Sequence, residues 1–200
     1  MTVTGLGEET IDRLEARCAV AIVREWRSPL ARDGQDLYRG GMRIRRCVPA
    51  DLETLAGFIR DLAHYERALE LAQATPEQLR QSFFGPSPQV YCDLVETDDG
   101  DAAGFAVWFL NYSTWTGTHG IYLEDLFVRP QYRGRGFGKA LLVHLATECV
   151  VQGYARLQWS VLHWNTPSID FYTSLGAEAL HEWTVYRLSA PALQRVAESS

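Results

Sequence analysis

The chain has 200 residues, of which 46% are hydrophobic and 22% charged, and its formal net charge at pH 7 is -6. These values describe one ordinary globular domain with a short appendage, and they exclude a disordered chain, a coiled coil and collagen. The acidic balance argues against a nucleic-acid surface, which needs clustered lysine and arginine, and is compatible with a cationic ligand.

The sequence also predicts no membrane span, no disulfide framework and no metal site. No apolar run approaches the roughly 18 to 20 residues that cross a bilayer, and the polar start is unlike a secretory leader. The four cysteines include no C-x-x-C pair, and the five histidines show no metal-ligand spacing. We therefore expect a cytoplasmic protein with reduced, mostly buried thiols.

Residues 1–41 differ in pattern from the rest of the chain. Apolar residues three and four positions apart, from Ile11 to Trp26, predict an amphipathic helix. The stretch 28–41, with one proline and three glycines, predicts a linker after it. We therefore divide the chain into an N-terminal helical extension and linker, 1–41, and one domain, 42–200.

From Met42 the pattern predicts strands and helices in the order βααβββαβαβ. Hydrophobic periodicity and turn signals place the strands at 43–47, 90–97, 103–112, 120–128, 156–162 and 179–188. The same reasoning places the helices at 49–64, 75–84, 137–152 and 167–175. This order indicates an α+β fold with a mixed, mostly antiparallel central sheet flanked by helices.

The most informative segment joins the strand ending at Val128 to the helix beginning at Phe137. Glycines that alternate with other residues let backbone N–H groups approach an anion, and the helix N-terminus adds partial positive charge. Basic side chains within and beside the loop add formal charge. The glycines are Gly134, Gly136 and Gly138, and the cations are Arg133, Arg135 and Lys139. The segment therefore predicts a phosphate cradle.

Two common phosphate motifs do not fit this loop. A P-loop needs serine or threonine after Gly138-Lys139, where Ala140 stands. The dinucleotide fingerprint counted from Gly134 needs glycine at its sixth position, where Lys139 stands. The pattern Gln/Arg-x-x-Gly-x-Gly does fit, at 131–136 and again at 133–138.

Two segments carry a resemblance to a known family. YLEDLFVRPQYRGRGFGKALL at 122–142 and WNTPSIDFYTSLGA at 164–177 resemble the GNAT superfamily of N-acetyltransferases, and more closely the diamine (spermidine/spermine) acetyltransferases. The resemblance covers about 43–188. It implies a GNAT-like fold, acetyl-CoA as donor, direct attack by a primary amine of a small diamine- or polyamine-like substrate, and a homodimer.

The resemblance also assigns residues to coenzyme A. The pyrophosphate would bind backbone amides of 134–139, and the pantetheine would lie along the strand that ends at Val128. The assigned residues are Leu126, Phe127, Val128, Arg133, Gly134, Arg135, Gly136, Phe137, Gly138, Lys139, Asn165 and Ser168.

Acetyl transfer to an amine requires a base. An amine with a pKa of about 10.4 is only roughly one part in 2,500 free at pH 7, a penalty of about 4.6 kcal/mol. Glu124, beside the proposed thioester, is the predicted base, acting directly or through a water. We expect Asp125 on the opposite side of the sheet, because side chains alternate along a regular strand. By family resemblance, Tyr172 would protonate the leaving thiolate.

The amine side is less well specified. Tyr65 and Glu66 resemble a substrate-contacting Tyr-Glu pair of the family, and Glu124 would face the same cation. Thr184 stands where the diamine enzymes carry an acid, so an amine is better supported than a polyamine. Two alternatives are an acetyltransferase for a protein or peptide amine and a non-catalytic acyl-CoA-binding module; the presence of both Glu124 and Tyr172 disfavours the second.

Overall fold

The computed structural model describes residues 37–38 and 41–199, with side chains from 41 onward. The predicted N-terminal helix lies outside the described residues. The described chain divides into two compact units, the first through Leu162 and the second from His163.

The first unit contains six strands and three helices. The strands are β1 (Leu37–Tyr38), β2 (Met42–Arg46), β3 (Tyr91–Thr97), β4 (Ala102–Ser113), β5 (Thr118–Val128) and β6 (Leu157–Trp159). The helices are α1 (Leu52–Tyr65), α2 (Pro76–Phe84) and α3 (Phe137–Gln152). Short 3-10 turns occupy Pro49–Asp51, Leu69–Leu71 and Pro130–Tyr132. The second unit contains α4 (Thr166–Ser174) and α5 (Ala190–Ala197).

The strands form one sheet in the order β1 to β6. Neighbours are antiparallel except β5 and β6, which run parallel and are connected through α3. The α+β fold with its mixed, mostly antiparallel sheet is therefore confirmed. Because Leu37–Tyr38 pairs with β2, the sheet begins upstream of Met42. The division of the chain at 41/42 stays a prediction.

Two helices cover opposite faces of the sheet. On one face, Phe58 of α1 stacks on Phe105 of β4, with ring centroids 5.1 Å apart and planes 8° apart. On the other face, His144 of α3 lies against Asp93 of β3. Asp93 and Phe105 face opposite ways because Asp93 pairs with Ala106, the next residue along β4, and side chains alternate along a strand. We call these the α1 face and the α3 face.

The predicted last strand at 179–188 is wrong. The structure describes all of these residues and assigns none of them to a strand. Apolar side chains there are open to solvent, with Val185 82% and Tyr186 92% exposed. A strand needs a neighbour for its backbone hydrogen bonds, and the sheet ends at the three-residue β6. Among the described helices, none has both the length and the apolar character required to cross a bilayer.

Candidate active site

The glycine loop has the backbone that an anion cradle requires. Gly134 and Gly136 have φ angles of 74° and 85°, in the left-handed region that favours glycine. A Cβ at either position would meet no atom within 4 Å, so the space beside the backbone is open. Gly136 is the N-cap of α3 and has no side chain to cap the first helical N–H groups. Loop and helix start therefore fit a pyrophosphate.

Two of the loop's arginines pack on aromatic rings. The Arg133 Nε donates to the Val128 carbonyl oxygen at 2.9 Å, which holds the loop against the end of β5. The same guanidinium lies over the rings of Tyr65 and Phe127, 4.7 and 5.4 Å from their centroids. The Arg135 guanidinium lies 5.0 Å from the ring centroid of Phe137. Arg133 thus contacts the end of α1 as well as the loop.

β5 carries a β-bulge in the predicted catalytic segment. Val107 pairs with Asp125 and Trp108 pairs with Leu123, so Glu124 is an extra residue without a partner in the β4–β5 ladder, all of which the structure describes. The strand is not regular here, so the expected alternation between Glu124 and Asp125, which assumed a regular strand, does not apply. Asp125 shares a face with Phe127, two residues along, and this is the α1 face.

Two neighbouring carboxylates act on Asp125 at this bulge. Burial, and then the charges of Glu124 and Glu66, raise the pKa of Asp125 to about 7. Burial raises the pKa of Glu66, which caps the C-terminus of α1. Glu124 is exposed, whereas Asp125 and Glu66 are partly buried. Glu66 and Glu124 thus both lie near enough to Asp125 for their charges to raise its pKa, and the substrate-binding roles assigned to Glu66 and Glu124 stay predictions.

Glu66, Glu124 and Asp125, which we call the carboxylate cluster, have aromatic residues near them in the chain. Tyr65 lies against Phe127, with ring centroids 6.2 Å apart. Tyr122, on β5 before the bulge, stacks on Phe109 of β4 at 5.2 Å. The predicted amine-side residue Tyr65 thus lies between the glycine loop and β5.

The remaining predicted residues divide between the two units. In the first unit, Leu126 and Val128 are partly buried on β5 and Lys139 is exposed on α3. In the second unit, the buried Asn165 starts α4, and its carbonyl oxygen accepts from the Ser168 N–H at 3.1 Å. The ring of Tyr172 packs against Phe171 at 5.3 Å. The roles assigned to these residues stay predictions.

Comparisons with known proteins agree with this geometry. The Acetyltransferase (GNAT) family model matches residues 55–177, so the chain belongs to the GNAT family. A thialysine N-epsilon-acetyltransferase from Bos taurus is 33% identical over 77% of this chain and 96% of its own length. An L-ornithine N5-acetyltransferase from Arabidopsis thaliana is 31% identical over 80% of this chain and 89% of its own.

A solved structure shares the fold. An integron cassette protein from the mobile metagenome of V. cholerae superimposes with a TM-score of 0.68 and 27% identity, covering 80% of this chain and all of the other. The predicted family and enzyme class are confirmed: the protein is an acetyl-CoA-dependent N-acetyltransferase. Within the described residues, no group of three or more candidate metal ligands is present.

Proposed function

We propose that the protein transfers the acetyl group of acetyl-CoA to a primary amine of a small cationic, diamine-like substrate by direct attack. The carboxylate cluster carries this proposal, because three acidic groups, two on β5 and one at the end of α1, attract a cation and repel an anion. The names of the relatives fit, since thialysine and ornithine both carry a side-chain primary amine. A diamine also carries the second cation that such a cluster favours.

Each part of the site has a proposed task. The glycine loop and the start of α3 hold the pyrophosphate, and acetyl-CoA supplies the activated thioester when bound. Tyr65 and Glu66, at the end of α1, hold the distal cation. The amine nitrogen bonds to the acetyl carbon, the carbon–sulfur bond breaks, and the amine gives up a proton. Glu124 is the predicted acceptor of that proton, and Tyr172 the predicted donor to the thiolate.

Two further proposals rest on the resemblance and the composition. The enzyme acts as a homodimer, as the diamine acetyltransferases would imply. It works in the cytoplasm, in keeping with the free cysteines among the described residues. Size-exclusion chromatography with light scattering checks the first, and localisation of the tagged chain checks the second.

CoA release over a panel of amines tests the substrate class. The panel contains a diamine, a monoamine of equal length, ornithine, lysine and a lysine-containing peptide. We expect turnover with the diamine and the amino acids. Turnover with the peptide alone would overturn the small-amine proposal in favour of a protein or peptide substrate.

Glu66→Gln sharpens this test. A partly buried carboxylate facing a second ammonium favours the diamine over the monoamine by about 1 kcal/mol, roughly fivefold in kcat/KM at low salt. We expect Glu66→Gln to abolish this preference and high salt to weaken it. Glu53→Gln removes the same charge from the exposed first turn of α1 and serves as the matched control. Equal kcat/KM values for both amines in the wild type would contradict the cationic substrate.

A further inference from the structure

We propose that Asp125, in place of the predicted Glu124, accepts the proton from the attacking amine. This inference rests on the proposed function and assigns its proton-transfer step to the carboxylate of Asp125. It follows from the bulge, the position of the three carboxyls and the difference in their exposure.

The bulge determines which of the two carboxyls, Glu124 or Asp125, projects to the α1 face from a paired backbone position. Asp125 is paired with Val107 and keeps its place in the ladder, whereas Glu124 is the unpaired extra residue. Phe127, two residues beyond Asp125, lies on the same face and packs against Tyr65. Asp125 therefore projects from a paired, rigid backbone position beside the predicted amine-binding tyrosine. A rigid position suits a proton acceptor, because proton transfer requires hydrogen-bond reach in a defined geometry.

The surroundings of Asp125 increase its basicity. Burial and the negative charges of Glu124 and Glu66 all oppose its ionisation, which raises its pKa to about 7. A carboxyl with a pKa near the working pH is ionised in a large fraction of molecules and still accepts a proton more readily than an ordinary carboxylate. Glu124, exposed at the rim, attracts the incoming ammonium and increases the basicity of Asp125 through its charge.

The step balances without an added reactant. The nitrogen lone pair forms the bond to the acetyl carbon, and the proton on nitrogen passes to a carboxylate oxygen of Asp125. The electron pair of the carbon–sulfur bond leaves with sulfur, and the thiolate takes up the proton whose donation the family resemblance assigns to Tyr172. Asp125 then releases its proton to solvent before the next turnover.

Asp125→Asn and Glu124→Gln form a matched pair that tests the assignment. Kinetics with the best amine of the panel are measured from pH 5.5 to 9.5, together with the Kd for acetyl-CoA. We expect Asp125→Asn to lower kcat by about 10²- to 10⁴-fold and to remove the acidic limb near pH 7 from the pH profile. Glu124→Gln should mainly raise KM, by up to about tenfold, and should move that limb to lower pH because a neighbouring charge is lost. The Kd for acetyl-CoA should stay within a few-fold in both.

The outcomes separate this inference from the proposed function. A wild-type enzyme inactive on every amine overturns both. An active wild type whose acidic limb and kcat survive in Asp125→Asn but are lost in Glu124→Gln overturns the assignment to Asp125 and leaves the function standing. If Asp125→Asn does not fold, Asp125→Glu replaces it. That variant keeps the carboxyl, so it should keep the acidic limb while its altered reach lowers kcat; an unchanged kcat would overturn the assignment.

Discussion

Two aspartates on opposite faces of one sheet have pKa values that are shifted in opposite directions. Asp93 of β3 lies on the α3 face and is 1% exposed, whereas Asp125 of β5 lies on the α1 face and is partly buried. The pKa of Asp93 is lowered and that of Asp125 is raised to about 7. Burial acts to raise the pKa of both, so burial alone does not explain the difference.

The neighbours of each carboxyl explain it. Asp93 accepts from the Trp108 Nε1 at 2.7 Å, and its oxygens lie 3.3 Å from the Arg46 Nε and 3.6 Å from the His144 Nε2. These donors and charges more than offset burial. Asp125 meets the negative charges of Glu124 and Glu66 instead. A buried carboxyl surrounded by donors stabilises the fold, and one surrounded by like charges is available for chemistry.

We expect the largest effect on kcat from a substitution that removes only the proposed proton donor. Tyr172→Phe keeps the ring but removes the proposed acid, so kcat should fall by about 10²- to 10⁴-fold. The Kd for acetyl-CoA and the free energy of unfolding should hardly change. Steady-state CoA release, calorimetry and urea unfolding measure these three quantities. Wild-type kcat in this variant would mean that another group or solvent protonates the thiolate.

Gly136→Asp should weaken acetyl-CoA binding by about a hundredfold or more. The new side chain places a carboxylate in the pyrophosphate cradle and strains a residue with left-handed φ. Gly153→Asp is the matched control, because Gly153 caps the other end of α3 with a φ of 69° and equally open space. Calorimetry on folded protein measures both variants. Equal affinities would remove the loop from the acetyl-CoA site.

Asp93→Asn tests whether the Asp93 carboxylate stabilises the fold. The variant leaves Arg46 and His144 without their anionic partner, and we expect a loss of about 2–4 kcal/mol in the free energy of unfolding. This is below the range for a fully buried pair because Arg46 is 45% exposed. Urea unfolding measures the loss, and kcat of the folded variant should stay within a few-fold. A large drop in kcat would show that the two faces are not independent.

The pH dependence of stability should have opposite signs at the two aspartates. Asp125 binds a proton more tightly in the folded state, so stability falls as pH rises from about 4 to 7, by about 1–2 kcal/mol once partial exposure is allowed for. Asp93 binds its proton less tightly when folded, so its contribution is present above about pH 4 and is lost as pH falls. Unfolding curves of wild type, Asp125→Asn and Asp93→Asn at several pH values separate the two. Parallel curves for all three would refute both assignments.

The glycine loop was predictable because its signal is local. The glycines that adopt left-handed φ angles, Gly134 and Gly136, are followed directly in the sequence by the helix. Adjacent residues therefore carry the whole signal. Tyr65 and Glu66 were proposed from family resemblance and Glu124 from its place at the end of a strand, and their roles stay predictions. The absence of a strand at 179–188 could not be predicted from the sequence, because the local pattern is typical of a strand and a strand forms only where a neighbouring strand pairs with it.

The surroundings of Asp93 and Asp125 could not be predicted from the sequence, for a different reason. The bulge at Glu124 depends on the register between β4 and β5, which no single strand specifies. The partners of Asp93 come from β2, β4 and α3, separated by dozens of residues in the chain. A sequence pattern reports the face on which a residue should lie only while the strand stays regular.

The bulge also determines where β5 tolerates a change of length. Before it, odd-numbered residues such as Leu123 face α3; beyond it, even-numbered residues such as Leu126 do. Deleting Glu124 would leave every existing pair of the ladder in place. Deleting Asp125 would let Glu124 take its place opposite Val107, while a deletion farther along β5 would turn the side chains between it and the bulge to the opposite face. Single-residue deletions along β5 should therefore yield folded protein at positions 124 and 125 and at few others, and each of these two variants should carry one carboxyl where the wild type carries two.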